Sequence, residues 1–171
     1  MAKLSITPNA ITWLGFLLTV GAAALIATGR LLAAGLVVLV AGFFDMLDGA
    51  LARRTNQVTR FGALLDSTLD RLAEAVLLLG ILLYVRDQLM VAVLVCVALL
   101  VSLLVSYIRA RAEALGMECQ VGIFTRAERV IVLALGLLLN QVVIALAVIV
   151  LFSFITIGQR LVYVWQQTKV R

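Results

Sequence analysis

The sequence predicts an all-α polytopic membrane protein with six transmembrane helices. The 171-residue chain is 64% hydrophobic and only 13% charged, whereas about half of a soluble domain is apolar. At roughly 20 residues per crossing, this length accommodates about six spans joined by short loops. No internal repeat or low-complexity segment divides the sequence, so we expect a single transmembrane domain over residues 1–171.

Six apolar segments have the length that a bilayer crossing needs. They cover approximately residues 9–28, 31–52, 60–84, 89–112, 125–139 and 142–164. Pro8 stands before the first segment, where its missing N–H removes no helical hydrogen bond. Gly29-Arg30 ends that segment, and Asn140-Gln141 forms a minimal turn between the short fifth segment and the sixth.

The distribution of lysine and arginine predicts the orientation of these helices. With six spans, both termini, the second-to-third loop and the fourth-to-fifth loop lie on one side. That side holds eleven cationic residues: Lys3, Arg53, Arg54, Arg60, Arg109, Arg111, Arg126, Arg129, Arg160, Lys169 and Arg171. The opposite side holds two, Arg30 and Arg86. Because cytoplasmic loops carry the excess of lysine and arginine, we expect a multi-pass plasma-membrane protein with cytoplasmic termini.

Four of the five aspartates lie between residues 43 and 71. Asp45 and Asp48 are spaced i, i+3 near the cytoplasmic end of the second helix. Asp66 and Asp70 are spaced i, i+4 near the start of the third helix. Each spacing places its pair on one helix face. The short connecting loop makes the helices antiparallel neighbours, so we expect both pairs to face one cleft in the cytoplasmic half of the membrane.

Such a carboxylate cluster is costly without a counter-charge. One charged aspartate within the bilayer costs ~2.5–3.5 kcal/mol, and each like-charge contact at about 4 Å adds about 4 kcal/mol. Two divalent cations would balance the four charges. The chain contains no histidine, which excludes imidazole catalysis and favours a hard ion, Mg²⁺ or Mn²⁺. The alternative is that Arg53, Arg60 and Arg71 pair with the aspartates.

The aspartates stand within the pattern D-x2-D-G-x2-A-R-x8-G-x3-D-x3-D. Its fixed positions are Asp45, Asp48, Gly49, Ala52, Arg53, Gly62, Asp66 and Asp70. This pattern resembles the signature of the CDP-alcohol phosphotransferase family. The resemblance implies a six-helix homodimer that transfers a phosphoalcohol group from a CDP-linked lipid to a hydroxyl acceptor and releases CMP.

The resemblance also implies roles for individual residues. Asp45, Asp48 and Asp66 would bind two Mg²⁺ or Mn²⁺ ions per active site. Asp70 would complete the metal site and serve as the general base. The positions that would bind the CDP-lipid are Asp48, Gly49, Ala52, Arg53, Gly62 and Asp66, joined by Asn9 and Thr12 from the family-like start "TPNAIT". Elementary chemistry supports these roles, because cations neutralise a pyrophosphate and a carboxylate accepts a hydroxyl proton.

Three further segments, "VSYIRARAEALG", "GIFTRAERVI" and "IGQR", resemble the branch that makes phosphatidylinositol phosphate or its archaeal ether-lipid counterpart. That resemblance implies CDP-diacylglycerol or CDP-archaeol as the donor and inositol 1-phosphate as the acceptor. Arg109, Arg129 and Arg160 would hold the phosphate of the acceptor. A cationic pocket suits this ligand, since guanidinium groups bind phosphate bidentately.

Two other functions are open at this point. A phosphatidylglycerophosphate synthase would use glycerol 3-phosphate in the same cationic pocket. That branch usually carries proline and alanine between its last two aspartates, where this chain has Ser67, Thr68 and Leu69. A divalent-cation transporter also uses intramembrane carboxylates, although here the acids are concentrated at one side. Nucleic acid is not an expected partner, because no soluble basic face with interleaved aromatic residues is present.

Overall fold

The computed structural model describes residues 8–54 and 59–169, without the side chains of residues 8, 9, 11 and 45–54. Within these ranges the chain forms helices and no strand. The helices are α1 (Pro8–Ala27), α2 (Leu31–Arg54), α3 (Arg60–Tyr84), α4 (Leu89–Ala114), α5 (Arg126–Leu138) and α6 (Val142–Lys169). The prediction of an all-α chain with six helices is therefore confirmed.

Two helix ends differ from the predicted ones. α1 begins at Pro8 rather than after it, because the fixed φ of proline suits the first helical position. α6 ends at Lys169 rather than near residue 164. Its last turns are polar but contain good helix formers, and Lys169 Nζ lies 3.6 Å from the ring centroid of Trp165, one turn earlier. The end of an apolar segment is thus not the end of the helix.

Helices α1, α2 and α3 belong to one compact unit, in which α1 packs against both of the others. Its apolar core contains Ala22, Ile26, Ala34, Val38, Leu77, Leu78 and Ile81. Gly80 sets the distance between α1 and α3, because a Cβ at this position would lie 2.7 Å from the carbonyl oxygen of Ala23. Helix backbones approach this closely only where a side chain is absent.

We expect Gly80→Ala to destabilise the protein by roughly 1–3 kcal/mol, because the added methyl group must push α3 away from the α1 backbone. The apparent melting temperature in detergent measures this effect. Gly21→Ala in α1 is the matched control, since a Cβ there meets nothing within 4 Å and alanine is the better helix former. Equal melting temperatures for the two variants would contradict the close contact.

Helices α4, α5 and α6 belong to a second compact unit, in which α4 and α5 pack on α6. A tight turn joins α5 to α6, as the Asn140-Gln141 pair predicts. Asn140 has a φ of 55°, a conformation that asparagine tolerates better than most residues. The N–H of Gln141 donates to the carbonyl of Gly136 at 2.7 Å and closes the turn.

Two helices in the described part of the chain, α4 and α6, are long and apolar enough to cross a membrane. Shorter apolar stretches occur at Thr12–Ala27 and Leu31–Phe44. The surfaces of α4 and α6 expose large apolar side chains, among them Leu100, Leu103, Leu151 and Phe154. Such surfaces are unfavourable in water and favourable against lipid. These features indicate a membrane protein, and the full set of six crossings stays a prediction.

Candidate functional site

Thr59 fixes the start of α3, the helix that carries two of the predicted site aspartates. The N–H of Gly62 donates to Thr59 Oγ1 at 2.9 Å, and the N–H of Ala63 donates to the Thr59 carbonyl at 3.0 Å. These are the hydrogen bonds of a helix N-cap. The sequence interpretation missed Thr59, although threonine directly before a helical segment is a recognised start signal.

Asp66 and Asp70 lie one helical turn apart on α3, and both are half-buried. Their i, i+4 spacing places them on one face of the helix. Gly62 lies one turn before this pair, and Glu74 lies one turn after it and is buried. Residues 62–74 of α3 therefore present a stripe of one glycine and three carboxylates.

Three polar residues next to the two aspartates in the sequence bond to the backbone of α3. The hydroxyl groups of Ser67 and Thr68 both donate to the carbonyl of Leu64, at 3.0 and 2.8 Å. The guanidinium of Arg71 donates through Nη1 to the carbonyl of Ser67. These three side chains thus satisfy the helix backbone on the faces beside the carboxylate stripe.

The other predicted metal ligands lie on α2. Asp45 and Asp48 belong to the helical residues of Leu31–Arg54 and stand one turn apart. The side chains of several predicted site residues lie outside the described part of the structure, namely Asn9, Asp45, Asp48, Gly49, Ala52 and Arg53. Thr12 lies near the start of α1 and is half-buried.

The donor chemistry of the described residues fits a hard divalent cation. Asp66 and Asp70 supply only oxygen donors, and the chain has no histidine, so Mg²⁺ or Mn²⁺ suits them better than Zn²⁺. Among the described side chains no three His, Cys, Asp or Glu form a group that could hold a metal ion. The participation of the α2 aspartates, whose side chains lie outside the described part of the structure, stays a prediction.

The second compact unit brings the three predicted phosphate-binding arginines together. Arg129 in α5 is 1% exposed and Arg160 in α6 is 3% exposed. Arg109 in α4 is exposed and forms a salt bridge with Glu113, with 2.9 Å between Nε and Oε1. Burial disfavours the charge of the Arg160 guanidinium most, and the nearby positive charges of Arg109 and Arg129 add a smaller repulsion. An anion bound among the three guanidinium groups would offset this repulsion.

Arg160 also donates hydrogen bonds to two backbone carbonyls, which its position in the sequence does not predict. Its Nε donates to the carbonyl of Val121 at 2.9 Å, and its Nη1 donates to the carbonyl of Val105. Two of its donors therefore hold the α4–α5 loop and α4 itself.

A shallow groove adjoins these residues in the second unit. It has a volume of about 620 Å³ and is lined by Val121, Gly122, Ile123, Gly158, Gln159 and Val162. The lining is mainly apolar, and the side-chain oxygen of Gln159 is already bound to the N–H of Ile123 at 3.2 Å. The groove thus lacks the charge that a phosphate ligand requires.

The chain matches the CDP-alcohol phosphatidyltransferase family over residues 5–159. Similar curated proteins include the archaetidylinositol phosphate synthase of Methanothermobacter thermautotrophicus, which is 40% identical over 98% of this chain and 87% of its own. The protein of the same name from Pyrococcus horikoshii is 41% identical over 94% of this chain and 84% of its own. The phosphatidylinositol phosphate synthase of Mycobacterium marinum is 38% identical over 96% of this chain and 76% of its own.

Solved structures of the Mycobacterium tuberculosis phosphatidylinositol phosphate synthase have a similar fold. The structure with bound CDP-DAG superposes with a TM-score of 0.87 at 34% sequence identity, covering 95% of this chain and 88% of the solved one. The structure in complex with manganese and citrate superposes with a TM-score of 0.88 at 34% identity, covering 95% and 84% of the two chains. The fold and the sequence pattern therefore point to the same family.

Proposed function

Since the chain belongs to the CDP-alcohol phosphatidyltransferase family, we propose that it transfers a phosphatidyl group, or its ether-lipid equivalent, from a CDP-linked lipid to inositol 1-phosphate and releases CMP. The proposal rests on two findings that point to the same reaction. The sequence contains all eight fixed positions of the pattern that includes the four aspartates, and its relatives are named as synthases. Those relatives are synthases of archaetidylinositol phosphate and phosphatidylinositol phosphate, the products expected when inositol 1-phosphate receives the lipid-bearing phosphate group from an ether-lipid or a diacyl CDP-lipid.

The aspartates carry the chemistry in this proposal. Asp45, Asp48 and Asp66, together with Asp70, hold two Mg²⁺ or Mn²⁺ ions. The bound cations supply Lewis-acid stabilisation of the negative charge that develops on the pyrophosphate. The manganese complex of the mycobacterial relative supports a divalent cation for this family.

Asp70 is the proposed general base. Its carboxylate accepts the proton of the acceptor hydroxyl while that oxygen attacks the lipid-bearing phosphorus and the bond to CMP breaks. Gly62, one turn before Asp66, leaves room for a bulky nucleotide at the helix surface. The other proposed CDP-lipid contacts are Asn9, Thr12, Asp48, Gly49, Ala52, Arg53 and Asp66.

The three arginines of the second unit bind the acceptor phosphate in this proposal. A phosphorylated acceptor carries about two negative charges, and the cluster of Arg109, Arg129 and Arg160 supplies three positive ones. The guanidinium of Arg109 forms a half-exposed salt bridge with Glu113. Glycerol 3-phosphate carries the same phosphate, so a phosphatidylglycerophosphate synthase is the alternative that this charge arrangement also accommodates.

The assembly and location are further parts of the proposal. We propose one domain over residues 1–171 that crosses the plasma membrane six times, forms a homodimer and faces the cytoplasm with its reactive residues. The apolar α4 and α6 support membrane insertion, and the excess of lysine and arginine on one side supports the orientation.

We expect the purified protein to release CMP from CDP-diacylglycerol or CDP-archaeol only when inositol 1-phosphate and Mg²⁺ or Mn²⁺ are both present. Chelation by EDTA should abolish the release, and an excess of Mg²⁺ should restore it, because the carboxylates cannot neutralise the pyrophosphate without a cation. Liquid chromatography of CMP measures the reaction. Divalent-metal flux into proteoliposomes without CMP release would instead identify a transporter and overturn the proposal.

A further inference from the structure

A short stretch of the α4–α5 loop is fastened to α6 by three side chains. The N–H of Phe124 donates to Thr156 Oγ1 at 3.2 Å, and the N–H of Ile123 donates to Gln159 Oε1 at 3.2 Å. Arg160 Nε donates to the carbonyl of Val121 at 2.9 Å. The three α6 residues are spaced i, i+3 and i+4 and so lie on one helix face. We call residues 156, 159 and 160 the loop clamp.

Gly122, in the middle of the fastened stretch, permits the close contact. Its φ is +127°, a conformation that residues with a Cβ rarely adopt. A Cβ at this position would lie 2.7 Å from Thr156 Cγ2 and 3.2 Å from Arg160 Nε. The loop backbone therefore rests directly on two of the clamp residues.

The fastened stretch leads without interruption into α5. Thr125 is the N-cap of α5 and forms a capping box with Glu128. The rings of Phe124 and Phe152 in α6 pack with 5.5 Å between their centroids. The N–H of Arg129 donates to the Thr125 carbonyl at 3.2 Å in the first turn. The position of this turn, and of the buried Arg129, thus depends on where α6 holds the loop.

We propose that Thr156 and Gln159 are positioning residues that fix Arg129 relative to Arg160 and thereby set the affinity for the acceptor phosphate. The inference rests on the proposed function, because it assigns these two arginines to the acceptor. Neither residue touches the phosphate. Their hydrogen bonds hold the start of α5 in the position in which the guanidinium groups of Arg129 and Arg160 can bind the same phosphate.

The two clamp residues differ in burial, and this difference predicts unequal effects. Thr156 is fully buried, so Thr156→Val leaves the Phe124 N–H without an acceptor in a site that water does not reach. We expect the KM for inositol 1-phosphate to rise about tenfold, as for other buried hydrogen bonds left unmade. Gln159 is exposed, and water can replace its oxygen in Gln159→Met, so we expect a rise of only about twofold.

The experiment compares the KM for inositol 1-phosphate with the KM for the CDP-lipid in wild type, Thr156→Val, Thr156→Ser and Gln159→Met. Thr168→Val is the matched control, because Thr168 lies in the same helix and is exposed, and within the described residues its hydroxyl bonds to the carbonyl of Trp165, one turn earlier. We expect the acceptor KM alone to rise in Thr156→Val and to return to the wild-type value in Thr156→Ser, which keeps the hydroxyl group.

Three outcomes would overturn the inference. An unchanged acceptor KM in Thr156→Val, with wild-type turnover intact, removes the positioning role and leaves the proposed function standing. An equal rise in both KM values, with a lowered melting temperature that Thr156→Ser does not restore, assigns Thr156 to general stability. Absence of CMP release by the wild-type protein with inositol 1-phosphate removes the proposed function and this inference together.

Discussion

Asp70→Asn is expected to reduce CMP release by about 10³-fold, within the range that a lost general base produces. Asparagine has nearly the same shape as aspartate but cannot accept the proton of the acceptor hydroxyl, and it is a weaker ligand for a hard cation. The rate is measured as CMP formed under saturating inositol 1-phosphate and Mg²⁺. The melting temperature should stay close to the wild-type value, because the substitution changes no volume in the half-buried environment of Asp70.

Asp87→Asn is the matched control for this prediction. Asp87 is exposed, lies outside the carboxylate stripe and forms a loose surface ion pair with Arg86, at 3.6 Å between Nε and Oδ2. Such pairs contribute at most ~1 kcal/mol to stability, so this variant should retain wild-type turnover. Near wild-type turnover of Asp70→Asn would show that another group accepts the proton.

Arg129→Met is expected to raise the KM for inositol 1-phosphate by about 100-fold, because the acceptor phosphate loses a charge-assisted hydrogen bond in a buried environment. The KM for the CDP-lipid should not change. Methionine is chosen because it fills similar volume in the core of the second unit and leaves no buried charge. The measurement is the initial rate of CMP release as a function of each substrate.

The control for Arg129→Met is Arg86→Met, which removes a guanidinium whose side chain is 77% exposed. That change should leave both KM values unaltered. Arg129→Lys should give an intermediate acceptor KM, since lysine keeps the charge but cannot form the bidentate pair. If Arg129→Met raised the KM for the CDP-lipid instead, the assignment of this arginine to the acceptor would be wrong.

The sequence predicts the helices well because the length of an apolar segment can be read from that segment alone, without knowledge of its tertiary contacts. The six predicted segments correspond to the six helices, and the Asn140-Gln141 turn lies where the polar pair interrupts two apolar runs. The apolar stretch ends near residue 164, so the sequence predicts the end of α6 too early. The residues that follow are mainly polar, but they continue the helix to Lys169. In this last part of the helix, the ammonium group of Lys169 lies over the ring of Trp165.

The carboxylate stripe was also accessible from the sequence, because residues four apart on a helix necessarily share a face. The loop clamp could not be predicted from the sequence. The partners of Thr156 and Gln159 are backbone N–H groups more than 30 residues away, and backbone groups carry no sequence signal. Arg160 illustrates the same limit: its burial and its bonds to two carbonyls distinguish it from an arginine that merely follows the positive-inside rule.

In the proposed reaction the hydroxyl acceptor must carry a phosphate, and inositol 1-phosphate fits best. The most direct measurement compares CMP release by the wild-type protein, with one CDP-lipid and Mg²⁺, for inositol 1-phosphate, glycerol 3-phosphate and free inositol. We expect the highest kcat/KM for inositol 1-phosphate and none above background for free inositol, because only a phosphorylated acceptor engages Arg109, Arg129 and Arg160. A higher kcat/KM for glycerol 3-phosphate, or turnover of free inositol, would contradict the claim.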